Sequence, residues 1–180
     1  MFDPIEIPKN DMVPDEEIIS RMKGNAPDSF DAMFKKYGAQ VFRHARAILG
    51  SFEAAEDASQ EIFLKAILGI SNLRGNRLKP WLLSITHNFC NDLLRKIKKD
   101  PKTLFSTENE HKVFGKTPSG LPELIFELNP LEREVILLRV IDGLPYSEIS
   151  NITEMAEGTL RNMVSKILKR LRERAVSDGL

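Results

Sequence analysis

Pro145-Tyr146-Ser147-Glu148-Ile149-Ser150, Glu157-Gly158-Thr159-Leu160-Arg161-Asn162 and Lys169-Arg170-Leu171-Arg172 stand in that order in the last third of the chain. A short helix, a turn and a longer basic helix at this spacing make a helix-turn-helix, whose second helix suits a DNA major groove. Upstream, Asn129-Pro130-Leu131-Glu132 predicts a helix start: Asn as N-cap, Pro at the first helical position, Glu three residues after the cap. Val135, Ile136, Leu138 and Val140 are expected to drive this helix into a core, with Gly143 as its stop. In the basic helix, Leu160, Val164, Ile167 and Leu171 keep core spacing.

Further upstream the helical period continues. Ile18, Ile19 and Met22 share a face, and Gly24-Asn25 breaks that helix. Phe30, Met33, Phe34 and Tyr37 make one apolar stripe, continued by Val41, Ala45, Ile48 and Leu49. Gly50 is a C-terminal stop and Ser51 an N-cap for a helix over residues 52–68. That helix turns Ala55, Ala58, Ile62, Ala66 and Ile67 inward and Glu53, Glu56, Asp57, Gln60 and Glu61 outward. Residues 71–79 read as a basic loop, and Pro80 suits the first turn of a helix carrying Trp81, Leu82, Ile85, Phe89, Leu93 and Ile97.

No strand alternation and no long-period repeat is visible, so the fold class is all-α. Two small helical domains are expected, the second a helix-turn-helix. Residues 1–13 read as a mobile acidic arm, 14–99 as the first domain, 100–122 as a flexible linker and 123–180 as the second domain. The linker is punctuated by Pro101, Gly115, Pro118, Gly120 and Pro122.

The 180 residues carry 26 acidic and 26 basic side chains, so no global field marks a polyanion binder. The charge is segregated instead: acidic at the N-terminal arm, basic at Arg95-Lys96-Ile97-Lys98-Lys99 and along the last helix. Any one such patch is as readily a solvated helix face. Cys90 is the only cysteine, which excludes an intrachain disulfide and fits a reducing, intracellular setting. No run approaches the ~20 apolar residues of a membrane span, and no signal peptide is visible. His87-x-x-Cys90 has no second ligand pair nearby, so no metal or cofactor is expected. No phosphate-binding glycine loop or nucleophile motif is present, and His44, His87 and His111 have no evident partners, so the chain does not read as an enzyme.

Three blocks together resemble the RNA polymerase sigma factors of the extracytoplasmic-function group. They are Ala55-Glu56-Asp57-Ala58-Ser59-Gln60-Glu61-Ile62-Phe63-Leu64-Lys65-Ala66; Pro80-Trp81-Leu82-Leu83-Ser84-Ile85-Thr86-His87-Asn88, continuing to Asp92 and Arg95; and Leu131-Glu132-Arg133-Glu134-Val135 through Tyr146-Ser147-Glu148-Ile149 to Gly158-Thr159-Leu160. No block decides alone; their order and spacing do. The resemblance covers most of residues 15–174. It implies a cytoplasmic protein that binds core RNA polymerase, recognises both promoter elements and helps open promoter DNA. It also implies an anti-sigma partner, with no insertion into a membrane.

The resemblance assigns polymerase docking to Glu56, Asp57, Gln60, Glu61 and Leu64, a carboxylate-amide stripe complementary to Arg-rich partner helices. It assigns the melted upstream strand to Arg74, Arg77, Lys79, Trp81, Asn88 and Arg95, with one base captured by the loop at about residues 70–79. Trp81 has the flat surface to stack on an unpaired base, and equally starts an apolar stripe as a core tryptophan. Duplex reading falls to Gly158, Thr159, Arg161, Asn162, Ser165, Lys166, Lys169 and Arg170, the helix N-terminus favouring phosphate. The chain departs from the family pattern at Ser150, at Thr153-Glu154 in place of Leu-Gly, at Ala156 in place of a Ser or Thr cap, and at Met163 in place of a basic residue. A Glu at that turn takes the left-handed backbone at a steric cost. A stand-alone helix-turn-helix regulator is the alternative. It would need an apolar self-association seam where the helix 52–68 shows an acidic one.

Overall fold

The computed structural model describes residues 13–26, 28–99, 125 and 127–177. The expected arm, apart from Val13, and the whole expected linker lie outside them, as does His111. Among the described residues every regular element is helical. They are α1 (Asp15–Lys23), α2 (Ser29–Leu49), α3 (Phe52–Gly69), α4 (Leu78–Lys99), α5 (Pro130–Ile136), α6 (Tyr146–Thr153) and α7 (Glu157–Ser177). None is long and apolar enough to cross a membrane.

Local sequence explains most of the boundaries. Gly50 sits at φ +79 and closes α2, while the Ser51 hydroxyl accepts from the Ala54 amide at 3.3 Å to open α3. Asn129 and Glu132 form the expected reciprocal capping box at the head of α5. α2 runs through Gly38 without a break. The basic loop is shorter than residues 71–79: Ile70–Asn72 form one 3-10 turn, and Leu78 and Lys79 already belong to α4. The buried Ile70, Leu73 and Leu78 pin that loop to the core at both ends.

α1 to α4 enclose one core, with Met33, Val41, Ile62, Phe63, Leu78, Leu82 and Cys90 buried in it. Tyr37 donates to Asp15 Oδ1 at 2.6 Å and so ties α1 to α2. Ile67, expected inside, is 37% exposed, because the apolar stripe of α3 faces only α2 and α4.

The second core holds Val135, Leu137, Leu138, Ile149, Leu160, Val164 and Ile167, and it also takes in Ala47 of α2 and Leu83 of α4. The two helical groups therefore pack on each other, α5 against α2 and α6 against α4. Beyond Ile136 the α5 helix widens into a π-helix over Leu137–Ile141. There the Asp142 amide reaches back to the Leu137 carbonyl and the Leu144 amide to the Leu138 carbonyl, each at 2.9 Å. The wider turn shifts the helical phase, and Val140, expected in the core, is half exposed.

Candidate nucleic-acid interface

Three surfaces carry the residues singled out above. On α3, Glu56, Asp57, Gln60, Glu61 and Leu64 are all exposed. Their helix is held from behind by buried Ala55, Ala58, Ile62 and Ala66. Among the described ion pairs none involves Glu56, Asp57 or Glu61, so this stripe keeps its charge unspent.

The second surface is a cleft of about 480 Å³ between α3 and α4, lined by Lys65, Gly69, Asn72, Trp81, Ile85, Asn88, Phe89, Asp92, Leu93 and Lys96. Trp81 packs on the first core, as expected of a core tryptophan, and its partly exposed ring also lines the cleft. Lys65 lies over the Phe89 ring at 5.7 Å from its centre. Aromatic faces beside two lysines suit an unstacked base with its phosphates. Of the residues expected on this side, Trp81 and Asn88 share the cleft, while Arg74, Arg77, Lys79 and Arg95 do not line it. Arg95 pairs with Asp92 at 2.7 Å on the open face of α4. Lys65 and Phe89 were missed by sequence reasoning, whereas Asn72 lies in the loop expected to hold the base. Lys65 and Phe89 stand on neighbouring helices, and no single-helix pattern pairs them.

On α7 the core residues Leu160, Val164 and Ile167 are buried, and the opposite face presents Gly158, Asn162, Ser165, Lys166 and Lys169. Thr159 is exposed on its shoulder. Arg161 and Arg170 flank this face and are each tied back. Arg161 stacks on the Tyr146 ring of α6 at 5.0 Å and donates to Glu157 at 2.7 Å. Arg170 donates both terminal nitrogens to the two Glu132 oxygens, at 3.0 and 3.1 Å. Partial burial raises the Glu132 carboxyl. The Arg170 hydrogen bonds, the Asn129 amide and the Arg170 charge outweigh that and hold it below the usual carboxylate range.

The Sigma-70 region 2 family matches residues 33–100, and the Sigma-70, region 4 family matches residues 120–171. The ECF RNA polymerase sigma factor SigC of Mycobacterium tuberculosis is 29% identical over 170 residues, covering 90% of this chain and 91% of that protein. The ECF RNA polymerase sigma factor SigM of Bacillus subtilis is 27% identical over 163 residues, covering 83% and 99%. The chain belongs to the extracytoplasmic-function sigma factors. Its fold is shared with the sigma factor RpoE of Bartonella quintana, solved in complex with the anti-sigma factor NepR, at a TM-score of 0.64 and 23% identity over 81% of this chain and 96% of that one.

In this sigma factor the two regions meet through polar groups that local sequence left without partners. Asp142 follows the π-helix and its carboxylate accepts from Gln40 at 2.7 Å, from Arg43 at 3.1 Å and from His44 Nε2 at 2.5 Å. Lys79 donates to the Asp142 backbone carbonyl at 2.8 Å. His87 Nδ1 lies 2.8 Å from Glu134 Oε1, and Arg133 donates to the Ala47 carbonyl at 3.1 Å. Arg77 pairs with Glu148 of α6. The expectation that His44 and His87 stand without partners is thereby corrected: both face carboxylates supplied by the other region. Burial pushes the Asp142 carboxyl up, but the His44 hydrogen bond and charge, with Arg43 and Lys79, overcome it and hold it below the ordinary range. Glu134 had a visible signal, a carboxylate one position from Val135 on an apolar helix face. Asp142 had none, since Asp-Gly reads as an ordinary helix stop.

Proposed function

We propose that the protein is an alternative sigma subunit that binds core RNA polymerase, recognises both promoter elements and helps open the DNA. The unit 14–99 would dock polymerase and hold the melted strand. The unit 123–180 would read duplex upstream, with 100–122 as the connection between them. The observation that carries this reading is the α3 stripe. Glu56, Asp57, Gln60 and Glu61 stand exposed, with no ion pair among the described residues, on a rigid helix inside the matched region 2. Such a surface complements a basic partner helix and serves no packing role.

Around it, the aromatic and lysine-lined cleft supports capture of an unpaired base, with Trp81 as the stacking face and Asn88 and Lys96 as polar contacts. The exposed face of α7 supports major-groove reading by Asn162, Ser165, Lys166 and Lys169. The protein acts by binding, without a chemical step of its own, on the polymerase of the bacterial cytoplasm. An anti-sigma protein is the expected regulator, supported by the complex in which the Bartonella quintana sigma factor was solved.

The test is a native pull-down of the purified chain with bacterial core RNA polymerase, followed by run-off transcription on sheared genomic DNA. Stoichiometric binding with discrete transcripts is the expected result. Retained duplex binding without polymerase binding would establish the stand-alone regulator instead.

A further inference from the structure

The loop ahead of α4 is held by a helix far from it in sequence. Ile18, Ile19 and Met22 bury one face of α1 in the same core as Ile70, Leu73 and Leu78, and α1 packs on the 3-10 turn that opens the loop. Two polar side chains of α1 then grip the loop itself. The Lys23 ammonium donates to the Leu73 carbonyl at 3.0 Å, and the Glu16 carboxylate accepts from the Asn76 side-chain amide at 2.9 Å. Glu16 and Lys23 are separated by two helical turns, so they stand on one face about 10.5 Å apart. One bond fixes the start of the loop. The other fixes its tip, where Gly75 turns the chain at φ +71.

The first anchor lies next to the cleft. Leu73 follows Asn72, the loop residue that lines the cleft with Trp81 and Asn88. Among the described hydrogen bonds none holds the Asn72 side chain, so its place follows from the backbone on either side. Before it, the Leu73 amide closes the 3-10 turn on the Ile70 carbonyl at 3.1 Å; after it, Lys23 holds the Leu73 carbonyl. The second region contributes no residue to the cleft lining, so the cleft is accessible in the full chain. We propose that Glu16 and Lys23 are positioning residues for capture of the unpaired base. In this account α1 is a splint that presets the loop, and through it Asn72, before the strand arrives. Neither side chain touches DNA. A loop ordered in advance loses less freedom when the strand binds, which tightens binding. The positioning role rests on the strand-capture reading of the cleft; the hold of α1 on the loop does not.

Trp81 is the only tryptophan of the chain, so its emission reports on the cleft. The full chain is titrated with a single-stranded thymine 20-mer, and quenching of Trp81 gives the affinity. Glu16→Ala decides by sign. Removing a carboxylate near a polyanion strengthens binding by charge alone, whereas losing the loop anchor weakens it. About three- to tenfold weaker binding is expected, the scale of one side chain or loop left to be ordered. Glu16→Gln drops the charge but keeps an oxygen for Asn76, and it should bind no more weakly than the unaltered chain. Lys23→Met should weaken binding to a similar degree with unchanged salt dependence, and Lys23→Arg should restore it. Hydrogen exchange of the 74–77 amides reads the loop without any strand. It should quicken in Glu16→Ala and Lys23→Met and stay unchanged in the two conservative variants, with folding checked by circular dichroism.

Equal or tighter strand binding by Glu16→Ala would overturn the positioning role. A salt slope shallower by about 0.7 in Lys23→Met would make Lys23 a direct phosphate contact and overturn its part in that role. Unchanged exchange in both disruptive variants would overturn the splint. Failure of the strand-capture reading shows differently: no Trp81 quenching in any form while the exchange difference persists, which removes the positioning role and leaves the hold of α1 on the loop.

Discussion

Glu154 ends α6 in the left-handed region at φ +58, where a β-carbon is strained and glycine is not. Glu154→Gly should therefore stabilise the fold by about 0.5 kcal/mol, the relief of strain exceeding the added chain entropy of glycine. A thermal melt reads this directly, and an unchanged or lower midpoint would mean that the turn is not strained. Arg161 is poised differently. Its guanidinium is exposed beside the reading face but rests on Tyr146 and Glu157. Arg161→Ala should weaken binding to a duplex with the upstream element by about tenfold, within the range of one lost base or phosphate contact. Binding to templates lacking that element should not change. Loss of the Tyr146 stack would lower stability by no more than about 1 kcal/mol, so a calorimetric scan separates the two effects.

The helix α3 divides its labour by face. Alanines and Ile62 bury one side, and the other side leaves its carboxylates without ion-pair partners among the described residues. Substituting Asp57→Arg and Gln60→Arg together should abolish binding to core polymerase while unfolding stability moves by less than about 0.5 kcal/mol, since neither side chain supports packing. Retained binding in the pull-down would remove α3 as the docking element. The segment Leu137–Ile141 is the element where helical period fails. Widening by one residue turns Val140 outward and delivers Asp142 to His44. A regular α-helix would present a different residue to His44, so the register of this one turn decides how the two regions meet.

At the scale of the molecule, the packing of the two regions on each other depends on charge. The Asp142 carboxyl titrates lower in this contact than in water, facing His44, Arg43 and Gln40 from α2 and Lys79 from α4. A depressed carboxyl contributes stability that is full above its value in water of about 3.9 and is lost as pH falls through the lower value it takes in the contact. Energy transfer between a donor at Asp31→Cys and an acceptor at Glu173→Cys, exposed positions one in each region, should thus hold at neutral pH and drop in acid below about pH 4. An Asp142→Asn chain should lack this component. A drop of equal size in that variant would assign the acid response to other carboxylates.

Local physical chemistry made the helices legible. The capping box at Asn129, the stop at Gly50, the cap at Ser51 and the core spacing of Leu160, Val164 and Ile167 each depend on residues within a turn or two of one another. The order of three motif blocks made the family legible, and with it the α3 stripe and the α7 face. Trp81 was legible as a residue of two possible fates, and only packing between α3 and α4 showed that it touches the core and still lines the cleft. His44 and Asp142 are separated by 98 residues, and His87 and Glu134 by 47. Sequence by itself determined the helices, most of their apolar faces and the family. Tertiary structure alone decided which buried charges meet, because a helical period records the direction a side chain faces and not the distant group that will face it.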